Sequence, residues 1–182
     1  MQIITGKYRA RKLVAVDSSE TRPTLARVKE SVFNLIADKI ENGLVLDLFA
    51  GSGAYGAECI SRGAQKVFFV DQADKAIKTI KINIQKMTES FEIIKASFVD
   101  ALNGFEKKKI KFDLVFLDPP YDSDFALQSL ELLTRKRLLN NGATIVVEHK
   151  LANDLQNLPE CCIIKKSRKY GIAFVDILEY KE

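Results

Sequence analysis

Asp118, Pro119, Pro120 and Tyr121 are the consecutive residues of this chain best suited to chemistry. They follow Asp113-Leu114-Val115-Phe116-Leu117, whose apolar run reads as a buried strand. Neither proline can donate an N–H to a sheet ladder, and Pro120 holds Pro119 extended, so the strand must stop there. The backbone of 118–120 is therefore stiff, unpaired and placed at the carboxyl end of a strand, where open α/β sheets bind ligands. A carboxylate, a rigid carbonyl and an aromatic ring within four residues suit a flat base carrying an exocyclic amine. Two acceptors take the two N–H hydrogens, and the ring stacks on the base face. A plain turn with a carboxylate cap and a core tyrosine has the same sequence, because Pro-Pro turns are common.

The surrounding pattern must place this loop beside a second reactant. Leu44-Val45-Leu46-Asp47-Leu48-Phe49 reads as a buried strand. It runs into Ala50-Gly51-Ser52-Gly53-Ala54-Tyr55-Gly56 and then a helix to about Arg62, ended by Gly63. Strand, Gly-x-Gly-x-x-Gly and helix let backbone N–H groups approach a ligand at a helix N-terminus. The motif alone fits NAD, FAD or S-adenosylmethionine. Asp47, an acid just before the turn, suits a ligand with a positive centre and an ammonium group better than a pyrophosphate. A second strand, Lys66–Asp71, ends in an acid 20 residues after Gly51, the spacing at which a carboxylate meets adenosine ribose hydroxyls. Helix 74–86 and strand 92–95 follow. Asp100 then stands either to accept from an adenine amine or to cap a helix over 101–106. A helix over 125–137 follows the Asp-Pro-Pro-Tyr turn. Residues 143–149 form a fifth strand ending in His149, the single histidine. It could serve as a catalytic base, although strand-end histidines are often structural. Residues 161–168 and 172–180 read as a final antiparallel hairpin, with Lys165, Lys166, Arg168, Lys169 and Tyr170 at its turn.

The chain has 182 residues, 47% hydrophobic and 29% charged, which fits one globular unit with a real core. No apolar run is long enough to span a membrane, and the N-terminus has no signal-peptide pattern. Three cysteines make no disulfide framework, and one histidine without a Cys-x-x-Cys argues against zinc or another metal. Reduced thiols and a cytoplasmic location are expected. The net charge is +4, and residues 1–30 carry seven basic and three acidic residues, so the whole excess lies there. A basic arm on a neutral body points to a polyanion, although a solvated surface strand would look the same. Residues 1–16 suggest a short hairpin or pair of edge strands carrying Lys7, Tyr8, Arg9, Arg11 and Lys12, a set suited to phosphate pairing and stacking. Arg22 and Arg27 extend it. Thr24 is placed to cap a helix whose face carries Val28, Val32, Leu35 and Ile36. The expected division is an N-terminal extension over 1–23 and a main domain over 24–182.

Strand–helix repeats, a glycine loop, an acid after strand two and Asp-Pro-Pro-Tyr after strand four resemble the class I S-adenosylmethionine-dependent methyltransferases. The resemblance is closer still to the RsmD family, which methylates the exocyclic N2 of a guanine in 16S ribosomal RNA. It rests on Ile4-Thr5-Gly6-Lys7-Tyr8-Arg9-Ala10-Arg11-Lys12-Leu13, on Arg22-Pro23-Thr24-x-x-Arg27-Val28-Lys29-Glu30-Ser31-Val32-Phe33-Asn34, and on Leu46-Asp47-Leu48-Phe49-Ala50-Gly51-Ser52-Gly53. Where the family often has Phe, this chain has Tyr121, and either ring can stack. The resemblance implies an α/β, Rossmann-like fold with a seven-stranded, mostly parallel sheet and an antiparallel last strand, plus the short basic extension. It implies that Asp47 and the 51–53 turn hold the methionine end of S-adenosylmethionine, Asp71 the ribose and Asp100 the adenine. Phe49, Ala50, Gln72 and Ala101 complete that cofactor set. Asp118 and the Pro119 carbonyl would hold the guanine amine, with Pro120 and Tyr121 completing the catalytic loop. Lys7, Tyr8, Arg9, Arg11, Lys12, Arg22 and Arg27 would contact RNA in a small ribosomal subunit or its assembly intermediate, the enzyme acting as a monomer. Adenine N6 or a glutamine amide are alternative amines for the same loop. A nucleotide-dependent oxidoreductase and a non-catalytic RNA-binding module are the rivals from other classes.

Overall fold

The apolar runs become the strands of one sheet because their side chains are buried on both faces. In the computed structural model, residues 1–16, 23–120, 123–149, 155 and 157–182 are described, the side chains of 23–26 excepted. The strands are β1 (Leu44–Asp47), β2 (Lys66–Asp71), β3 (Phe91–Lys95), β4 (Phe112–Leu117), β5 (Leu139–His149), β6 (Cys162–Tyr170) and β7 (Ala173–Tyr180). Their order is β3-β2-β1-β4-β5-β7-β6. The first five pair in parallel, and β7 is antiparallel to both β5 and β6. This is the seven-stranded, Rossmann-like sheet expected from the sequence. The order reverses between β1 and β4, which opens a crevice at their carboxyl ends.

Helices α1 (Pro23–Leu35), α2 (Ala54–Ser61) and α3 (Asp74–Ile84) cover one face. They bury Val28, Val32, Phe33, Ala57, Ile60, Ile77 and Ile80 against Val45, Phe69, Leu114 and Phe116. Helices α4 (Phe98–Lys107) and α5 (Phe125–Arg135) cover the other, packing Leu102, Phe105, Leu130 and Leu133 against Leu46, Phe68, Val115 and Ile145. Two helix starts differ from expectation. Helix α1 begins at Pro23, ahead of Thr24, because proline fits the first helical position, where an N–H has no partner anyway. Helix α4 begins at Phe98 with Ser97 as its N-cap, so Asp100 sits in the first turn and is not the cap.

The N-terminal residues form a hairpin-like loop with Gln2 opposite Lys12, closed by the Ile3 N–H to the Arg11 carbonyl at 3.0 Å, the Ala10 N–H to the Ile3 carbonyl at 2.9 Å and the Leu13 N–H to the Met1 carbonyl at 3.0 Å. It belongs to the same core, since Ile3 and Leu13 are buried in it. Glu58, on α2, ties it down. Its carboxylate accepts from the Ile4 N–H at 2.8 Å and the Thr5 N–H at 3.0 Å, and pairs with Lys29 and Arg62, each at 2.9 Å. Burial pushes the Glu58 carboxyl up, but Lys29, the Ile4 N–H and Arg62 outweigh it and hold it below its ordinary value. Gly6 has φ +88°, and a Cβ there would lie 1.8 Å from the Ser61 carbonyl oxygen, so only glycine allows the arm this close to α2.

Candidate active site

The acids predicted at strand ends do gather on one edge of the sheet. Asp47 closes β1, level with Phe69 of β2 and Phe116 of β4. Beyond it the chain feeds the crevice from both sides. The Leu48 N–H donates to the Phe116 carbonyl at 3.2 Å and the Ala50 N–H to the Val70 carbonyl at 2.9 Å. Gly51 and Gly53 then turn the chain with φ of +52° and +75°. At Gly56 a Cβ would come within 2.2 Å of the Phe69 ring, so the third glycine seats α2 on β2. Asp71, at the end of β2, accepts from the Gly51 N–H at 2.9 Å and the Ala73 N–H at 2.8 Å. It staples the glycine loop and keeps acceptor capacity on both oxygens.

Asp47 is 3% exposed and accepts from the Gly56 N–H at 3.0 Å. Burial pushes its carboxyl up to about 7, aided by the charge of Asp71 and opposed by the Gly56 N–H and Lys29. Asp118 and Pro119 leave β4 on this edge, half-buried and buried respectively, with Pro120 exposed. The Pro120 carbonyl accepts from the Ser123 hydroxyl at 2.6 Å. Tyr121, the expected stacking ring, and Arg22 lie outside the described residues.

Sequence reasoning missed Tyr55 and Glu148. The Tyr55 ring stacks on Phe116, centroids 4.9 Å apart, and its hydroxyl lies 3.5 Å from the Glu148 carboxylate. Burial first, then the charges of Glu148, Asp118 and Asp47, push the Tyr55 hydroxyl well above its ordinary value. It therefore stays a donor among carboxylates. Glu148 is an acid at the end of a buried strand, the signature that flagged Asp47 and Asp71, and it was legible on the same ground. His149 beside it has Nε2 2.9 Å from Asp176 Oδ2, and its ring stacks on Phe174 with centroids 5.7 Å apart.

On the α4–α5 side, Phe49 lies 5.6 Å from Phe98 and 6.5 Å from Phe125, ring to ring. Asp100 is exposed next to this aromatic wall. Its N–H donates to the Ser97 hydroxyl at 3.1 Å and its carboxylate accepts from that hydroxyl at 2.7 Å. Ser97, not Asp100, caps α4, and the Asp100 carboxylate bonds the cap's hydroxyl through one oxygen. Gln72 is exposed just past Asp71, whereas Ala101 is buried with its N–H bonded to the Ser97 carbonyl.

The basic arm is less free than its sequence suggested. Lys7 pairs with Glu89 at 2.6 Å, and the Tyr8 hydroxyl donates to the same carboxylate at 2.7 Å. Arg9, Lys12 and Arg27 are exposed and Arg11 is half-buried. Asn83, on α3, donates to the carbonyls of Val14 and Ser52 at 2.9 and 2.8 Å, and so links the arm to the glycine loop. Among the described residues no acid, histidine and cysteine cluster could hold a metal, and no helix is long and apolar enough to cross a membrane.

Residues 1–179 match the family model described as conserved hypothetical protein 95. The ribosomal RNA small subunit methyltransferase D of Haemophilus influenzae is 37% identical over 176 residues, covering 95% of this chain and 90% of its own. A solved Haemophilus influenzae protein described as a methylase is 34% identical with a TM-score of 0.82, covering 100% of this chain and 99% of its own. A methyltransferase solved with SAH, 13% identical with a TM-score of 0.66, covers 83% of this chain and 49% of its own and shares the fold alone. Together with the strand order and the strand-end acids, these matches place the chain in the ribosomal RNA small subunit methyltransferase D (RsmD) family.

Proposed function

We propose that this chain transfers the methyl group of S-adenosylmethionine to the exocyclic N2 amine of a guanine in 16S ribosomal RNA. The observation that carries the proposal is the position of Asp118-Pro119-Pro120, which leaves β4 directly beside the strand that feeds Asp47 into the glycine loop. The edge suits S-adenosylmethionine. Beside Gly51, nothing lies within 4 Å of where a Cβ would stand, so the loop borders open space. Asp71 has acceptor capacity for ribose hydroxyls, Asp100 for an adenine amine, and the Phe49, Phe98 and Phe125 rings offer a flat apolar wall. Asp47, poised near neutrality, ionises at little cost once a cation lies near it.

When bound, S-adenosylmethionine supplies a methyl carried on positive sulfur. The chain's own task is then to present the amine. Asp118 and the Pro119 carbonyl accept the two amine hydrogens, which takes the nitrogen lone pair out of ring conjugation and aims it. Tyr121 stacks on the base. Such positioning accounts for most of the rate. After transfer the nitrogen is strongly acidic, and Asp118 or water takes its proton. A base stacked in RNA must be turned out to reach this loop. Residues 7–12 of the extension (1–23), with Arg22 and Arg27, hold the surrounding phosphates, while 24–182 carry out transfer. The enzyme works as a monomer in the cytoplasm, on the small subunit or its assembly intermediate.

The test is methyl transfer from labelled S-adenosylmethionine to small ribosomal subunits from a strain lacking the endogenous enzyme. Label is expected in N2-methylguanosine, reduced at least 100-fold by Asp118→Ala with cofactor affinity retained. Label in another nucleoside, or in ribosomal protein, would overturn the target.

A further inference from the structure

Among the described residues, strand β6 is the outer edge of the sheet, paired only with β7. Every residue from Ile163 to Lys169 is exposed. Lys165, Lys166, Arg168 and Lys169 lie in this run and no acid does. Lysines on an edge strand ordinarily block unwanted strand addition. The register here does something more specific. Ile164 stands opposite Leu178, yet Lys166 stands opposite Ile177, so Lys165 is the extra residue of a β-bulge. Directly opposed side chains share a face. Leu178 packs with the α4–α5 core, while Ile177 and Val175 pack with the α1 core. The bulge thus turns Lys166, Arg168 and Tyr170 onto the α1 side. Tyr170 packs there and shares a hydroxyl–hydroxyl hydrogen bond with Ser31 of α1. Arg27 lies four residues before Ser31, on the same helix face, and is exposed. Asp38, paired with Lys39, is the acid whose charge meets Lys166.

The track also lies level with the reacting edge. Arg168 is opposite Val175, Val175 is opposite Glu148, and Glu148 follows Val147, the partner of Leu117 next to Asp118. Three strand spacings of ~4.8 Å put the β6 backbone at this level about 14 Å from Asp118. That is within a few nucleotides of a base held there. One charge sign, one face and this register match the backbone of a bound nucleic-acid strand.

Resting on the RNA-substrate reading above, we propose that Lys166 and Arg168, continued by Arg27 on α1, form a second phosphate-binding track. It holds the RNA strand flanking the target base on the side away from the N-terminal arm. The test compares wild type with Lys166→Gln/Arg168→Gln, both exposed positions, for binding to small ribosomal subunits across a salt series. Calorimetric S-adenosylmethionine affinity serves as the folding control. Losing two phosphate contacts lowers the slope of log affinity against log salt by about 1.4–1.8. KM for the subunit rises with kcat unchanged, and the charge-keeping Lys166→Arg/Arg168→Lys restores the slope. An unchanged slope and KM in an active, RNA-binding protein overturn this proposal alone. So does sedimentation showing that the Gln variant pairs into dimers while its RNA affinity holds, since the cations would then only guard the edge. Failure of wild type to bind or methylate RNA overturns the substrate reading and this track with it.

Discussion

Replacing Asp47 with Asn separates the two forces acting on its carboxyl. Burial at 3% exposure pushes the native pKa to about 7 from an ordinary 3.8, against one N–H bond from Gly56 and the charge of Lys29. Between those values the folded protein holds a proton that the unfolded chain has released. Stability from this group is therefore present below the unfolded pKa and is lost as pH rises, with the loss complete once pH passes the folded value. Each pH unit of the window is worth roughly 1.4 kcal/mol, so from pH 5 to pH 8 the loss is about 2–3 kcal/mol. Asn accepts the Gly56 N–H through its own carbonyl and cannot ionise. Asn therefore stands in for protonated Asp47, and at pH 5, already about one unit into the window, the Asn variant should be ahead by about 1–2 kcal/mol. By pH 8 that lead should have grown by about 2–3 kcal/mol more, while the variant's S-adenosylmethionine affinity falls. Urea unfolding of both proteins at both pH values measures this, and taking their difference removes every other titrating group. A gap of the same size at pH 5 and pH 8 would refute the reasoning, because Asp47 would then be ionised throughout.

Three further outcomes follow from the same geometry. Gly6→Ala drives a Cβ into the Ser61 carbonyl at a φ of +88°, so about 1–3 kcal/mol of stability should be lost and limited proteolysis should release the arm; cleavage at the wild-type rate counts against that contact. Glu58→Gln strands the buried Lys29 ammonium and should cost about 3–5 kcal/mol in urea unfolding, part of which Lys29→Met restores in the double variant. A cost under about 1 kcal/mol would mean that Lys29, whose pKa burial lowers, is already neutral. Asn83→Ala removes the side chain shared by Val14 and Ser52, so it should lower stability by about 2–4 kcal/mol and raise KM for S-adenosylmethionine, whereas a loss of stability with KM unchanged would uncouple arm from loop.

The sheet was legible because its strands are apolar runs closed by Gly, Pro or an acid, and each strand-end acid could be placed by position alone. The start of β5 was not. The sequence places that strand over 143–149, yet it begins at Leu139, paired with Phe112 across a register shift. Asp71 was found by its spacing from Gly51, but not its grip on the Gly51 N–H, which is backbone geometry. Glu58 was invisible, since an acid in a helix reads as solvated until the arm 54 residues away donates to it. The basic residues of β6 were legible as a cluster at a turn. Their facing was not, because a one-residue bulge reverses it and leaves no mark in composition.

The central claim is that the edge joining Asp47, the glycine loop and Asp118 methylates a guanine amine of small-subunit RNA. Its most direct test is mass spectrometry of nucleosides from 16S RNA in a bacterial strain deleted for its own enzyme and supplied with this chain. The account predicts that N2-methylguanosine reappears with the wild-type chain and stays absent with Asp118→Ala expressed to the same level. The modified nucleoside remaining absent in both, or returning fully with Asp118→Ala, would contradict it.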